Sequence, residues 1–328
     1  MRRRDFITLL GGAAGAWPIA ARAQQPAMPV VGVMTALSVA TAARNLAALR
    51  NGLRDLGYTE GLNIKIEYRF GDGNPERFTP LLSELVSLKP AVILVGSTAA
   101  VMAAVKATQT IPLIAFMASD TAMATGKIAS FAHPGANITG FLTDADPRIV
   151  AKRLELLREI APGISRVGAL VIPEEANVDG TTIGLHSAAN VLGFDLHIIE
   201  VRSATELESA FKQIERDRIQ ALYVPQSSLF LARRAEFVGM VASKRVLAIY
   251  PFREYVQTGG LISYGANLPD MYRRAAVYVD KILKGDRPNE LPLQAVEIYE
   301  LVVNLKTAKA LGLTISEAFL LRADEVIE

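Results

Sequence analysis

The sequence predicts an α/β protein built of two doubly wound parallel-sheet lobes, and three observations carry that expectation. Short apolar runs rich in Val, Ile and Leu alternate with helical patterns at nearly constant spacing, the signature of βαβ units. The runs are almost continuously apolar rather than alternating, as strands covered on both faces require. The chain has 328 residues with 51% hydrophobic content, beyond the size at which one core keeps growing, so two cores are expected.

Each element has its own reason. "PVVGVM" (29–34) reads as a strand leading into a helix whose apolar face holds Leu46, Leu49, Leu53 and Leu56, with Gly57 ending it. "NIKIEYRF" (63–70) alternates as a strand, and 75–90 has Pro at a helix start with Phe78, Leu81, Leu82 and Leu85 on one side. "AVILVG", a helix from Thr98, "PLIAFM", a helix near Thr125 and "NITGF" continue the series. A second series starts at Pro147: a helix over 151–160, the strand 166–172, a helix over 176–192 and the strand 195–201. A further helix, the strand 221–226, the helix 229–243 and the strands "VLAIYPF" and "LISYGA" complete it. A strongly amphipathic helix over 267–288 and an apolar strand near 295–303 follow.

The first 23 residues read as a removable export signal. Arg3 and Arg4 precede Asp5, Phe6 and Ile7 as in a twin-arginine motif. The apolar part, residues 7–20, is too short to span a bilayer and is interrupted by Gly11, Gly12, Gly15 and Pro18. Ala21-Arg22-Ala23 supplies the small residues a signal peptidase needs, and no cysteine follows for lipid attachment. Removing Arg2, Arg3, Arg4, Arg22 and Asp5 takes the net charge from +2 to −1, which excludes a basic nucleic-acid footprint. The absence of cysteine excludes disulfides, thiolate metal sites and a cysteine nucleophile. His133, His186 and His197 share no metal-ligand spacing, "GDGNPE" lacks the third glycine of a dinucleotide fingerprint, and neither a Walker A nor a G-x-S-x-G elbow occurs. The expectation is a non-enzymatic protein without cofactor or metal.

In open α/β sheets ligands bind beyond the carboxyl ends of the strands. In the first lobe those ends offer Thr35 and Ser38, then Ser97 and Thr98, then Ser119 and Asp120. In the second they offer Glu174 and Asn177, then Gln226, then Phe252 and Glu254. Ser97 and Thr98 can cap the following helix, whose free N–H groups and positive dipole end suit a carboxylate or phosphate. Asp120 suits an ammonium group. Each residue also has a plainer role open to it: helix capping for Ser97, Asp120 and Asn267, core packing for Tyr250 and Phe252.

Five stretches in order, "NGLRDLGYTEGLNIKIEYRFGDGNPERF", "ASFAHPGANITGF", "KRLELLREIAPGISRVGAL", "YPFREYVQTGGLISYGANLPDMYRRAAVYVDKILKGDRP" and "VVNLKTAKALGL...RADEVIE", span essentially the whole processed chain. They resemble periplasmic ABC-transporter substrate-binding proteins of the tryptophan/tyrosine-uptake type, within the type I periplasmic-binding-protein superfamily. The resemblance implies a Venus-flytrap: lobe one at 28–140 plus 267–288, lobe two at 141–266 plus 289–328, and a three-stranded hinge. It implies a periplasmic monomer that captures a small ligand and hands it to an inner-membrane ABC permease with its ATPase; one helix N-terminus and one carboxylate suit a zwitterion, so an amino acid or related carboxylate is the favoured ligand. It also nominates Asn267, where the chain returns to lobe one. The alternative role is a periplasmic sensor feeding a signalling partner. Relatives commonly carry a Gly-Asp-Pro-Val-like stretch where this chain has residues 118–122, an Asn-Pro-x-Asn-Pro-like loop at 172–177, and Asp or Asn at the position of Gln226.

Overall fold

The computed structural model describes residues 28–117, 126, 128–143, 148–173 and 178–328. Residues 1–27, 118–125, 127, 144–147 and 174–177, and with them the expected export signal and the expected helix near Thr125, lie outside them.

The first sheet is built from β1 (Val30–Thr35), β2 (Lys65–Phe70), β3 (Val92–Gly96), β4 (Leu113–Met117) and β5 (Ile138–Leu142), with helices α1 (Val39–Asp55), α2 (Phe78–Ser87) and α3 (Thr98–Ala107) between them. The second holds β6 (Arg166–Val171), β7 (Asp195–Glu200), β8 (Ala221–Tyr223), β9 (Leu247–Tyr250) and β10 (Ile262–Ala266). Its helices are α4 (Arg148–Ile160), α5 (Val178–Leu192), α6 (Leu207–Arg216), α7 (Ser228–Ala232), α8 (Arg234–Ser243) and α9 (Arg253–Gln257). The chain then runs through α10 (Leu268–Leu283), β11 (Gln294–Ala295), β12 (Tyr299–Asn304), α11 (Leu305–Ala310), α12 (Glu317–Leu320) and β13 (Glu325–Ile327).

Strand order is β11-β5-β4-β3-β1-β2 in one sheet and β13-β12-β10-β9-β8-β6-β7 in the other. Every pairing is parallel except β10 with β12. The two lobes therefore share one winding plan. Each starts in mid-sheet, adds a strand on one side and then the rest on the other, so its chain reverses between β1 and β3 or between β6 and β8. The full burial of β4 and β9, with Leu113, Ile114, Ala115 and Ile249 at 0% exposure, matches the apolar runs in the sequence.

The chain crosses between lobes after β5, after β10 and after β11. The last crossing lies further along than the expected boundary at residue 288. β11 pairs with β5, placing Gln294 beside Phe141 and Ala295 beside Leu142. The Thr139 hydroxyl donates to the Leu291 carbonyl at 2.8 Å, and the Tyr278 hydroxyl to the Pro292 carbonyl at 2.6 Å. Residues 289–295 and 141–142 thus belong with the first sheet, not the second. A two-residue strand next to Pro292 has no periodicity to announce it. α10 also joins the first lobe: Arg273 pairs with Asp55 at 2.6 Å, Tyr58 donates to Asp280 at 3.0 Å, and Tyr272 stacks on Phe116 at 4.5 Å.

Gly140, in register with Ala115 on β4, has φ +137°, and a Cβ there would lie 2.1 Å from the Ala115 carbonyl oxygen. Gly140→Ala should therefore destabilise the fold by at least about 2 kcal/mol, whereas Gly163→Ala, with nothing within 4 Å, should stay within about 0.5 kcal/mol. Urea unfolding of the two variants checks both, and similar midpoints would contradict the geometry.

Candidate functional site

The carboxyl ends of both sheets carry the nominated residues. In the first lobe Thr35 ends β1 at 1% exposure, and its hydroxyl accepts from the Leu37 N–H at 3.2 Å and hydrogen-bonds with Tyr272. Burial pushes the Tyr272 phenol to about 12, so it stays protonated. Thr35 thus anchors the strand end from beneath. Ser38 caps α1, accepting from the Thr41 N–H at 3.3 Å, and its hydroxyl lies 3.0 Å from that of Thr41.

Ser97 departs from ordinary backbone geometry. It has φ +125° and ψ 148°, a region L residues rarely occupy, while its hydroxyl accepts from the Ala100 N–H at 3.3 Å. Strain of this kind costs of order 1–3 kcal/mol and persists where the surroundings over-determine it. Here the Ser97 N–H is held by the Phe116 carbonyl at 3.3 Å. Ser97 and Thr98 are both half-buried at the start of α3, which has no acidic residue in its first turn to neutralise the dipole. Ser119 and Asp120, expected next to them, fall outside the described residues, as does Asn177 of the second lobe.

In the second lobe Gln226 follows β8 and reaches back to the first crossing. Its Oε1 accepts from the Thr143 hydroxyl at 2.9 Å and its Nε2 donates to the Thr143 carbonyl at 3.4 Å. Phe252 is 8% exposed at the end of β9, within a core cluster that also contains Tyr250, Ala266 and Met271. Asn267 caps α10 by accepting from the Asp270 N–H at 3.0 Å, and it donates to Glu300 at 3.1 Å. Both the capping reading and a second, unforeseen partner are therefore present at Asn267.

Two contacts escaped the sequence reading. Arg234, at the start of α8, donates to the Thr41 hydroxyl at 2.7 Å, tying the second lobe to the first helix of the other. Arg253 meets Glu300 at 2.8 Å and also Glu325, forming an ion cluster in which Arg253 and Glu300 are buried and Glu325 is partly exposed. Charges on amphipathic helices read as solvated faces, and nothing in the spacing marked these two. An open hollow lined by Pro162, Gly163, Gln220, Lys244, Arg245 and Leu313 lies at the opposite end of the second sheet, away from every nominated residue.

Glu254 is 9% exposed and its Oε2 is buried without a hydrogen-bond partner among the described residues. Burial raises its carboxyl above the ordinary 4.5, Glu300 adds to the rise, and its own backbone N–H, Arg253 and Arg44 oppose it. The folded protein thus holds this proton more tightly than the unfolded chain. Its contribution is greatest below the ordinary value and is lost as pH rises from there through the raised one. Glu254→Gln should be more stable than the parent at pH 8, with the difference vanishing toward pH 4. Parallel melting-temperature profiles across that range would contradict this.

Comparison with known proteins agrees with the fold. A tyrosine-binding protein of Clostridioides difficile (strain R20291) is 27% identical over 262 residues, covering 80% of this chain and 74% of that protein. A conserved domain protein of Vibrio cholerae O1 biovar El Tor superposes with a TM-score of 0.82 at 25% identity, covering 91% of this chain and 99% of the other. An ABC domain of Streptococcus pneumonia in complex with L-Trp gives 0.82 at 23% identity with the same coverage. The sequence profile described as ABC transporter substrate binding protein matches residues 30–327, and the chain belongs to that family.

Proposed function

We propose that the protein captures an amino acid, with aromatic amino acids the first class to test, in the cleft between its lobes and delivers it to an ABC permease with its ATPase. The observation that carries the ligand class is the α3 N-terminus. That helix starts at a strand end, directly behind the strained Ser97, with no acidic side chain in its first turn to offset the positive end of its dipole. Such an end suits a carboxylate. A relative named for tyrosine binding supports the same class.

In this reading Ser97, Thr98 and Asp120 hold the zwitterion from the first lobe, and Asn177 and Phe252 close on it from the second. Ser38, Gln226 and Asn267 shape the rim and hinge, and Thr35 supports the strand end. The ligand meets both sets of groups only when the lobes close, so its differential affinity shifts the population toward the closed form. No covalent step is required. Residues 1–23 direct the chain to the periplasm by the twin-arginine route, and the processed protein works there as a monomer. Among the described residues no helix is long and apolar enough to cross a membrane.

A thermal-shift screen against amino acids, aromatic acids and sugars tests the reading, because a ligand that binds only the native form raises its melting point. L-Tyrosine or L-tryptophan should give the largest rise, and a sugar as the best ligand would contradict it. Asp120→Ala should weaken an aminated ligand by about tenfold or more in calorimetry, and unchanged affinity would remove Asp120 from the site. Arg234→Ala, which breaks the Arg234–Thr41 bond, should raise the ligand off-rate several-fold with little effect on the melting point of the free protein. An unchanged off-rate would show that this bond does not govern closure.

A further inference from the structure

Arg153 is the largest fully buried side chain of the protein's described residues, 2% exposed on α4. Its Nε donates to the Tyr264 carbonyl at 2.7 Å and its Nη1 to the Tyr223 hydroxyl at 3.2 Å, with the guanidinium 5.8 Å from the centre of the Tyr223 ring. Its Nη2 is buried and has no hydrogen-bond partner among the described residues. Nor does any carboxylate among them form an ion pair with it. The other buried guanidinium, Arg253, is matched by Glu300 and Glu325. Burying an ion carries a penalty of several kcal/mol that only a well-placed counter-charge offsets. Arg153 therefore stands out as a buried cation without an anion among the described residues.

Its position suggests where the anion comes from. Tyr223 ends β8, and Tyr264 and Gly265 lie at the end of β10. A Cβ on Gly265 would stand 3.3 Å from Nη2 and 1.7 Å from the carbonyl oxygen of Pro251, the residue just after β9. Only glycine lets these three strand ends draw together around the guanidinium. Phe252, Asn267 and Gln226 follow within one to three residues of Pro251, Gly265 and Tyr223. The unpaired nitrogen thus sits at the carboxyl edge of the second sheet, the edge that borders the cleft.

We infer that Arg153 is a ligand-binding residue whose Nη2 receives a carboxylate of the captured solute in the closed state, adding from the second lobe to what the α3 N-terminus offers from the first. The inference rests on the amino-acid reading above. A guanidinium fork suits a carboxylate, and a bond between two charged groups is among the stronger hydrogen bonds.

Calorimetry with L-tyrosine and L-tyrosinamide, which keeps the ring and ammonium but lacks the carboxylate, tests it on the parent and on Arg153→Gln. The expected result is a loss of about tenfold or more for L-tyrosine with less than about twofold for the amide. Equal losses for both probes would mean a packing role and overturn the inference, as would no loss for either. Should Arg153→Gln not fold, Arg153→Lys carries the same comparison, a loss confined to L-tyrosine again being the supporting result. If neither probe binds the parent, the amino-acid reading fails, and acetate decides the role of Arg153 by itself. Acetate raising the parent's melting point above that in chloride of equal ionic strength, but not the variant's, supports the inference. The same response in both overturns it.

Discussion

The carboxylate of Glu300 is shared by Arg253 and Asn267, and the relation between the lobes depends on that sharing. β10 and β12 run antiparallel, with Gly265 opposite Glu300 and Ala266 opposite Tyr299, so the second and third crossings leave the second sheet side by side. The Asn267 N–H donates to the Ile298 carbonyl at 3.1 Å, extending the ribbon into the gap between lobes. The first crossing is held separately by Gln226 and Thr143. Side-chain amides and one buried acid thus fasten all three crossings where they meet the second sheet.

Arg234 and Thr41 form a single hydrogen bond at a partly exposed edge, worth about 1 kcal/mol net. Moving a two-state equilibrium from 1:99 to 99:1 takes roughly 5.5 kcal/mol of differential affinity. That one bond is small against such a shift, and the apolar cluster that joins Leu46 of the first lobe to Phe252 of the second adds to what holds the lobes together. Strong pairing belongs at the hinge and weak pairing at the mouth, and Arg253–Glu300 and Arg234–Thr41 follow that division.

The winding of both lobes was legible because buried parallel strands must be apolar along their whole length, and "AVILVG" and "VLAIYPF" can hardly be anything else. Strand ends then followed, and with them the positions of Ser97 and Gln226 in the fold, while Asn267 was nominated by the family resemblance. What could not be read was partnership. The Asn267 cap was foreseeable from "NLPD", but its bond to Glu300 joins residues 33 apart in sequence. Arg153 sits in "AKRLELL", where a charge reads as the wet side of an amphipathic helix, yet it lies under Tyr223 and Tyr264. β11 left no trace because two residues define no period.

Residues 267–328 complete both sheets at once. α10 and β11 cover the first lobe, while β12 and β13 extend the second and bring Glu325 to Arg253. Neither lobe is a continuous stretch of chain, so neither can finish folding as it emerges from the ribosome. Pairings of such wide sequence separation form slowly. A newly made chain accordingly stays open to chaperones and proteases until its final fifth is available, and the two halves mature together.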